Sequence, residues 1–176
     1  MERSIEPGFG STGTKEQPLY ISVIGGGMCS AEEYAMAEET GRLIGESGAV
    51  LVCGGMSGVM EAAARGAKET GGTTLGILPG HDRSLGNPYL DLVVTTGVGH
   101  ARNLAVVSTG DAVIAIGGAY GTLSEIGLAA KVGRPVVILK GWRVQNEEGT
   151  AGIWYASDPR EAFSLVREAL RPGPTP

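Results

Sequence analysis

The stretch Ala112-Val-Ile-Ala-Ile-Gly-Gly-Ala-Tyr-Gly-Thr-Leu-Ser-Glu125 governs how the rest of the chain is read. Ala112 to Ile116 is unbroken apolar sequence, as expected of a buried parallel strand. Gly117, Gly118, Ala119 and Gly121 follow, too small to cover their own backbone. From Thr122 a helical pattern opens, carried by Leu123, Ile126, Leu128, Ala129 and Ala130. A strand feeding a glycine loop feeding a helix collects unpaired N–H groups and the positive helix end at one point. That is a site for an anion, most often a phosphate. Glu125, one turn in, is out of place there, because a phosphate repels a carboxylate. Either it faces away as a helix-start residue, or it reaches past the phosphate to the rest of the ligand.

Outward from this unit the same alternation repeats. Leu19–Ile24 reads as a first strand, ending in Gly25-Gly26-Gly27. Ser30 with Glu33 forms a capping-box pattern that starts a helix over Ala31–Glu46. Ala49–Cys53, Thr74–Leu78, Leu90–Thr95, Val136–Leu139 and Ile153–Ala156 read as further strands. Helices are expected over Val59–Glu69, within Gly97–Gly110, and over Pro159–Leu170. The fold expected is α/β: a single Rossmann-like, doubly wound parallel sheet of about six or seven strands with helices on both faces. Ligands of such sheets bind beyond the carboxyl ends of the strands. Gly25–Ser30, Gly54–Gly58, Gly80–Tyr89 and Gly117–Thr122 all fall at that end. Residues 1–17 are polar and expected to be disordered, 18–171 form the domain, and 172–176 are a tail.

The totals narrow the function. The chain has 176 residues, about one domain, and 42% hydrophobic content suffices for a core. A net charge of −5 argues against general nucleic-acid binding but not against one small anion held locally. Cys29 and Cys53 are far apart with no Cys/His cluster, so no metal site is expected. Free cysteines fit a cytoplasmic protein. No apolar run is long enough to span a membrane, and the N-terminus lacks the apolar core of a signal peptide.

Each candidate has a plainer reading. Gly25-Gly26-Gly27 starts like a dinucleotide fingerprint, but Ser30 stands where the last Gly belongs, and the second strand ends at Cys53 with no acid. Close backbone approach of Gly26 and Gly27 to a ligand is the preferred reading; a tight turn is the plain one. Arg102 opens a helix against the dipole, so it needs a reason. An anion is one; a surface ion pair is the other. His100, His81, Asp82, Arg83 and Asp111 read as loop, cap or turn residues. Cys29 and Cys53 read as packing residues, with no partner base for a thiol nucleophile. The Lys-Ser/Thr pair of a P-loop is absent.

Three segments in this order resemble the LOG-like family, once misnamed lysine decarboxylases. Gly54-Gly55-Met-Ser-Gly58-Val-Met60, with Gly66-Ala67 and Gly71-Gly72, is similar to its first signature. Gly118-Ala119-Tyr120-Gly121-Thr122-Leu-Ser-Glu125 is similar to its second, P-G-G-x-G-T-x-x-E. Gly99-His100-Ala101-Arg102-Asn103 resembles the segment bearing its key arginine. The likeness covers about residues 18–140, and the branch it most resembles contains molybdenum cofactor carrier proteins. Gly117, Ala119, Ser124 and Asn103 depart from the common pattern.

The resemblance implies a phosphoribohydrolase. LOG enzymes hydrolyse the N-glycosidic bond of a nucleoside 5′-monophosphate to free base and ribose 5-phosphate, and no cofactor is required. Arg102 and Glu125 match the catalytic pair. Gly26, Gly27, Gly54, Gly55, Ser57, Gly58, Gly118, Ala119, Tyr120, Gly121 and Thr122 are the expected phosphate and nucleotide contacts. The alternative is a non-catalytic carrier with the molybdenum cofactor, a phosphorylated pterin, as bound ligand. Either way the partner is a small phosphorylated ligand, with no nucleic acid and no membrane. A homodimer or homotetramer is implied, with the Val59–Lys68 and Gly97–Gly110 helices as candidate interfaces.

Overall fold

The computed structural model describes residues 17–145 and 152–171. The expected tails, apart from Gln17, and residues 146–151 of the loop before the last strand lie outside the described residues. Seven strands form one sheet: β1 (Tyr20–Gly25), β2 (Val50–Cys53), β3 (Thr73–Leu78), β4 (Leu92–Thr95), β5 (Ala112–Ile116), β6 (Val136–Lys140) and β7 (Ile153–Tyr155). Their order is β4-β3-β2-β1-β5-β6-β7, with every neighbouring pair parallel. The helices are α1 (Ala31–Glu46), α2 (Val59–Glu69), α3 (Asn103–Thr109), α4 (Tyr120–Lys131) and α5 (Pro159–Ala169). This is the expected doubly wound α/β architecture. None of the described helices is long and apolar enough to cross a membrane.

Strand composition explains the layering. β2 and β5 are buried along their whole length, so each needs apolar side chains on both faces. On one face Ile21, Val23, Leu51, Ile114 and Ile116 pack with α1, α2 and α5. On the other, Val52, Ile77, Val113 and Ala115 pack with Val106 and Val107 of α3 and Ile126 and Ala129 of α4. The small-residue face of α2 is spent inside the chain: Ala62, Ala63 and Ala64 are fully buried there.

The sheet reverses direction at β1. From β1 the chain winds one way through β2, β3 and β4, then β5 pairs with the opposite edge of β1. Beyond the carboxyl ends of β1 and β5 lies the crevice where open α/β sheets bind ligands.

Several boundaries shift by one residue, and three differ more from the sequence reading. β4 begins at Leu92 rather than Leu90, because Asp91 and Thr74 bond through their side chains there, with Asp91 N donating to Thr74 Oγ1 at 2.9 Å. α4 begins at Tyr120 rather than Thr122, since Leu123 N already donates to the Ala119 carbonyl. The 97–110 segment divides into a 3-10 turn at Gly99–Arg102 and the short α3.

Candidate functional site

A cleft of about 290 Å3 opens at the reversal point. Its walls come from four places distant in sequence: the loop after β1 (Gly26, Gly27), the loop after β2 (Gly54, Ser57), the turn before α3 (His100, Arg102) and the start of α4 (Ala119, Gly121, Thr122). Glu125, buried, also lines it.

The start of α4 is bare. Ala119, the N-cap, has extended backbone and no side chain able to accept a hydrogen bond from the helix. Leu123 N is taken by the Ala119 carbonyl at 3.1 Å. Helix geometry leaves the amides of Tyr120, Gly121 and Thr122 without an intrahelical acceptor. Together with the dipole they form an anion site. Gly118, at φ +83°, lets the loop turn back, and a Cβ there would collide with Thr122 Oγ1.

Arg102 and Glu125 meet in this cleft. Both are buried, 8% and 7% exposed, and Arg102 Nη1 lies 3.5 Å from Glu125 Oε1. Helical side chains lean toward the N-terminus. Glu125, in the second turn of α4, therefore points back into the cleft and not to solvent. The guanidinium fits because residue 54 is Gly: a Cβ there would stand 2.6 Å from Arg102 Nη2 and 2.6 Å from Met60 Sδ. At 3.5 Å the ion pair is long for a charge-assisted hydrogen bond. Arg102 Nε, also buried, has no partner among the described residues. The long ion pair, not the sealed Nε, leaves guanidinium N–H capacity toward the cleft.

Burial sets the protonation states. Loss of solvent pushes the Glu125 carboxyl up to about 7, with Arg102 pulling the other way. Burial lowers the pKa of Arg102, opposed by Glu125 and Cys53. Cys53 is pushed up to about 11 by burial and accepts a bond from Gly55 N at 3.4 Å. It is a neutral packing thiol, as its sequence context suggested.

The expected contact residues divide in two. Gly26, Gly27, Gly54, Ser57, Ala119, Gly121 and Thr122 line the cleft with Arg102 and Glu125. Gly55, Gly58, Gly118 and Tyr120 do not line it. Gly55 turns toward β3, where a Cβ would lie 2.7 Å from Leu78 Cδ2. Gly58 seats the start of α2 against Gly26 and Gly27, and Val59 N donates to the Gly26 carbonyl at 3.0 Å. Tyr120 is 79% exposed beside the mouth. Met56, Met60 and Asn103 line the cleft without having been singled out as contacts, and so does His100, for which a ligand contact was the less favoured reading beside a loop residue. For Asn103 the signal was present: it follows Arg102 directly, at the first position of α3. The methionines carried none, because an apolar residue in a loop or on a helix looks like core. Asp111 is structural, accepting from Tyr20 N at 2.9 Å.

A model of the SLOG cluster4 family matches residues 18–163. The chain belongs to that family, within the LOG-like superfamily. This SLOG protein is 46% identical over 132 residues to an uncharacterized protein of Archaeoglobus fulgidus, covering 72% of this chain and 87% of the relative. The molybdenum cofactor binding protein of Rippkaea orientalis superposes with a TM-score of 0.82 at 34% identity, over 89% of this chain and 100% of that one. The molybdenum cofactor carrier protein of Chlamydomonas reinhardtii superposes with a TM-score of 0.74 at 33% identity, over 88% of this chain and 99% of that one.

Proposed function

We propose that this SLOG protein binds the molybdenum cofactor, seating the phosphate of its pterin on the start of α4. One observation supports this above others: a bare helix start of three free amides shares a cleft with a buried arginine held only by a long ion pair. The likeness to a cofactor binding protein and a carrier protein supports the choice of ligand. The glycine walls at Gly26, Gly27 and Gly54 allow close backbone approach. Arg102 supplies the positive charge and orients the phosphate. Protein incubated with released cofactor should co-elute with it in gel filtration and slow its oxidation in air. Loss of the cofactor at the rate seen without protein refutes the proposal.

A second reading is favoured by the Arg102–Glu125 pair itself. A carboxyl poised near pH 7 suits general acid–base work. In that reading Glu125 activates water, which adds to the ribosyl carbon as the C–N bond breaks. Free base and ribose 5-phosphate are the products, and positive charge builds on the sugar. AMP and other purine monophosphates should then release base, and Glu125→Ala should abolish release while phosphate still binds. No base from any monophosphate removes this reading and leaves the first intact.

A further inference from the structure

The cleft holds only about 290 Å3. Pockets that enclose whole small-molecule ligands run from about 300 to 1,000 Å3. An open cleft at the small end of that range leaves the outer part of a phosphorylated ligand within reach of side chains at its mouth. Two aromatic side chains stand beside the phosphate loop. Tyr120 follows the N-cap of α4 and is 79% exposed. Its ring centroid lies 5.6 Å from that of Trp142, with the planes tilted by 45°.

Trp142 is tied to the anion site. Its Nε1 donates to the carbonyl of Ala119 at 3.2 Å, the residue that opens α4. The segment carrying it is pinned from behind: the Tyr155 hydroxyl donates to Val144 O and accepts from Val144 N, both at 2.9 Å. The Arg143 guanidinium stacks 4.4 Å from the Tyr155 ring centroid. A tyrosine this exposed adds little to the core, yet its neighbour is tied to Ala119 and sits in a segment fixed by two more hydrogen bonds and a cation–π contact.

We propose that Tyr120 and Trp142 form a stacking platform for the flat heteroaromatic ring of the ligand whose phosphate sits on α4. The ligand class is a phosphorylated bicyclic heterocycle, a pterin or a purine. This rests on the phosphate reading of the cleft. The platform sets ring selectivity, whereas the amides and Arg102 bind any phosphate monoester alike.

The test compares two probes, an air-oxidised, metal-free pterin monophosphate and ribose 5-phosphate, which lacks the ring. The chain has two tryptophans, so Trp154→Phe leaves Trp142 as the only indole. In that variant the pterin phosphate should quench indole emission and ribose 5-phosphate should not. By calorimetry, Tyr120→Ala and Trp142→Ala should each lower the ratio of pterin phosphate to ribose 5-phosphate affinity by about tenfold, the scale of ring stacking. Trp142→Phe keeps a ring and loses the N–H, so it should retain most of the ratio. If both affinities fall equally, or Trp142→Phe behaves like Trp142→Ala, the pair merely supports the loop and the platform is refuted. If neither probe binds the unsubstituted protein, the phosphate reading and the platform fall together.

Discussion

β1–α1 and β5–α4 are adjacent copies of one device: a buried strand, a glycine turn, then a helix. They differ at the helix start. Ser30 caps α1, accepting from Glu33 N at 3.2 Å, while Glu33 Oε2 accepts from Ser30 N at 2.8 Å. α4 begins at Tyr120, and its N-cap, Ala119, makes no side-chain cap bond. α5, farther out, is sealed like α1, with Asp158 accepting from Glu161 N at 2.9 Å. A capped helix has spent its free amides on its own chain. α4 keeps them for a visitor and forgoes the stabilisation a cap provides. α2 and α3 also start without a side-chain cap, so the missing cap marks the anion site only together with the cleft residues beside it.

The comparison can be inverted, and the largest effect is expected from Ala119→Asp. The extended backbone at Ala119 suits a capping carboxylate, which would occupy the amides and repel a phosphate. Phosphate affinity should fall at least about a hundredfold while the protein gains about 1 kcal/mol of stability. Calorimetric titration and denaturant unfolding read the two together. Unchanged binding would show that the start of α4 is not the site.

Glu125→Gln comes next. With its folded pKa raised to about 7, Glu125 binds a proton more tightly folded than unfolded. Its contribution to stability is thus greatest below the ordinary carboxylate range. It declines as pH rises through that range to about 7 and is level above. Unfolding midpoints from pH 4 to 8 should slope downward in the unsubstituted protein and lose that component in the Gln variant. An identical slope in both would contradict the burial of this carboxyl.

Smaller effects belong to the sealed ends. Ser30→Ala should cost about 1 kcal/mol and leave phosphate affinity unchanged. Glu33 shows the opposite linkage to Glu125. Its pKa is lowered, first by the bond from the Ser30 backbone, so its contribution is present above the normal carboxylate range and is lost as pH falls through its folded value. Asp158→Ala should cost about 1 kcal/mol as well, and binding should be untouched, since α5 packs on the sheet face against α1 and β6 and contributes no residue to the cleft. A loss of ligand affinity in either variant would join these ends to the site and break the contrast.

The elements were legible because strand and helix periodicity and the glycine punctuation are local signals. The Ser30–Glu33 capping box could be read three residues apart. The boundaries that moved, at Leu92 and Tyr120, moved where backbone or side-chain bonds replaced the regular ladder. The site was legible as a set of segments but not as a wall. Gly55, Gly58 and Gly118 belong to the same glycine motifs as the lining residues, yet they serve turns and close backbone contact. A motif carries both functions in one string.

From its residues alone the chain determined an alternating parallel fold and a bare helix start after Gly117–Gly118; the family resemblance added one arginine and one glutamate as the candidate pair. Only the tertiary structure decided that Arg102 and Glu125 lie 3.5 Å apart and buried, that Gly54 makes room for the guanidinium, and that Tyr120 stands outside against Trp142. Helix starts and strand patterns are fixed by neighbours within a few residues. Burial and the pKa it raises depend on chain segments brought together from β1, β2, α3 and α4, and no local pattern encodes their separation.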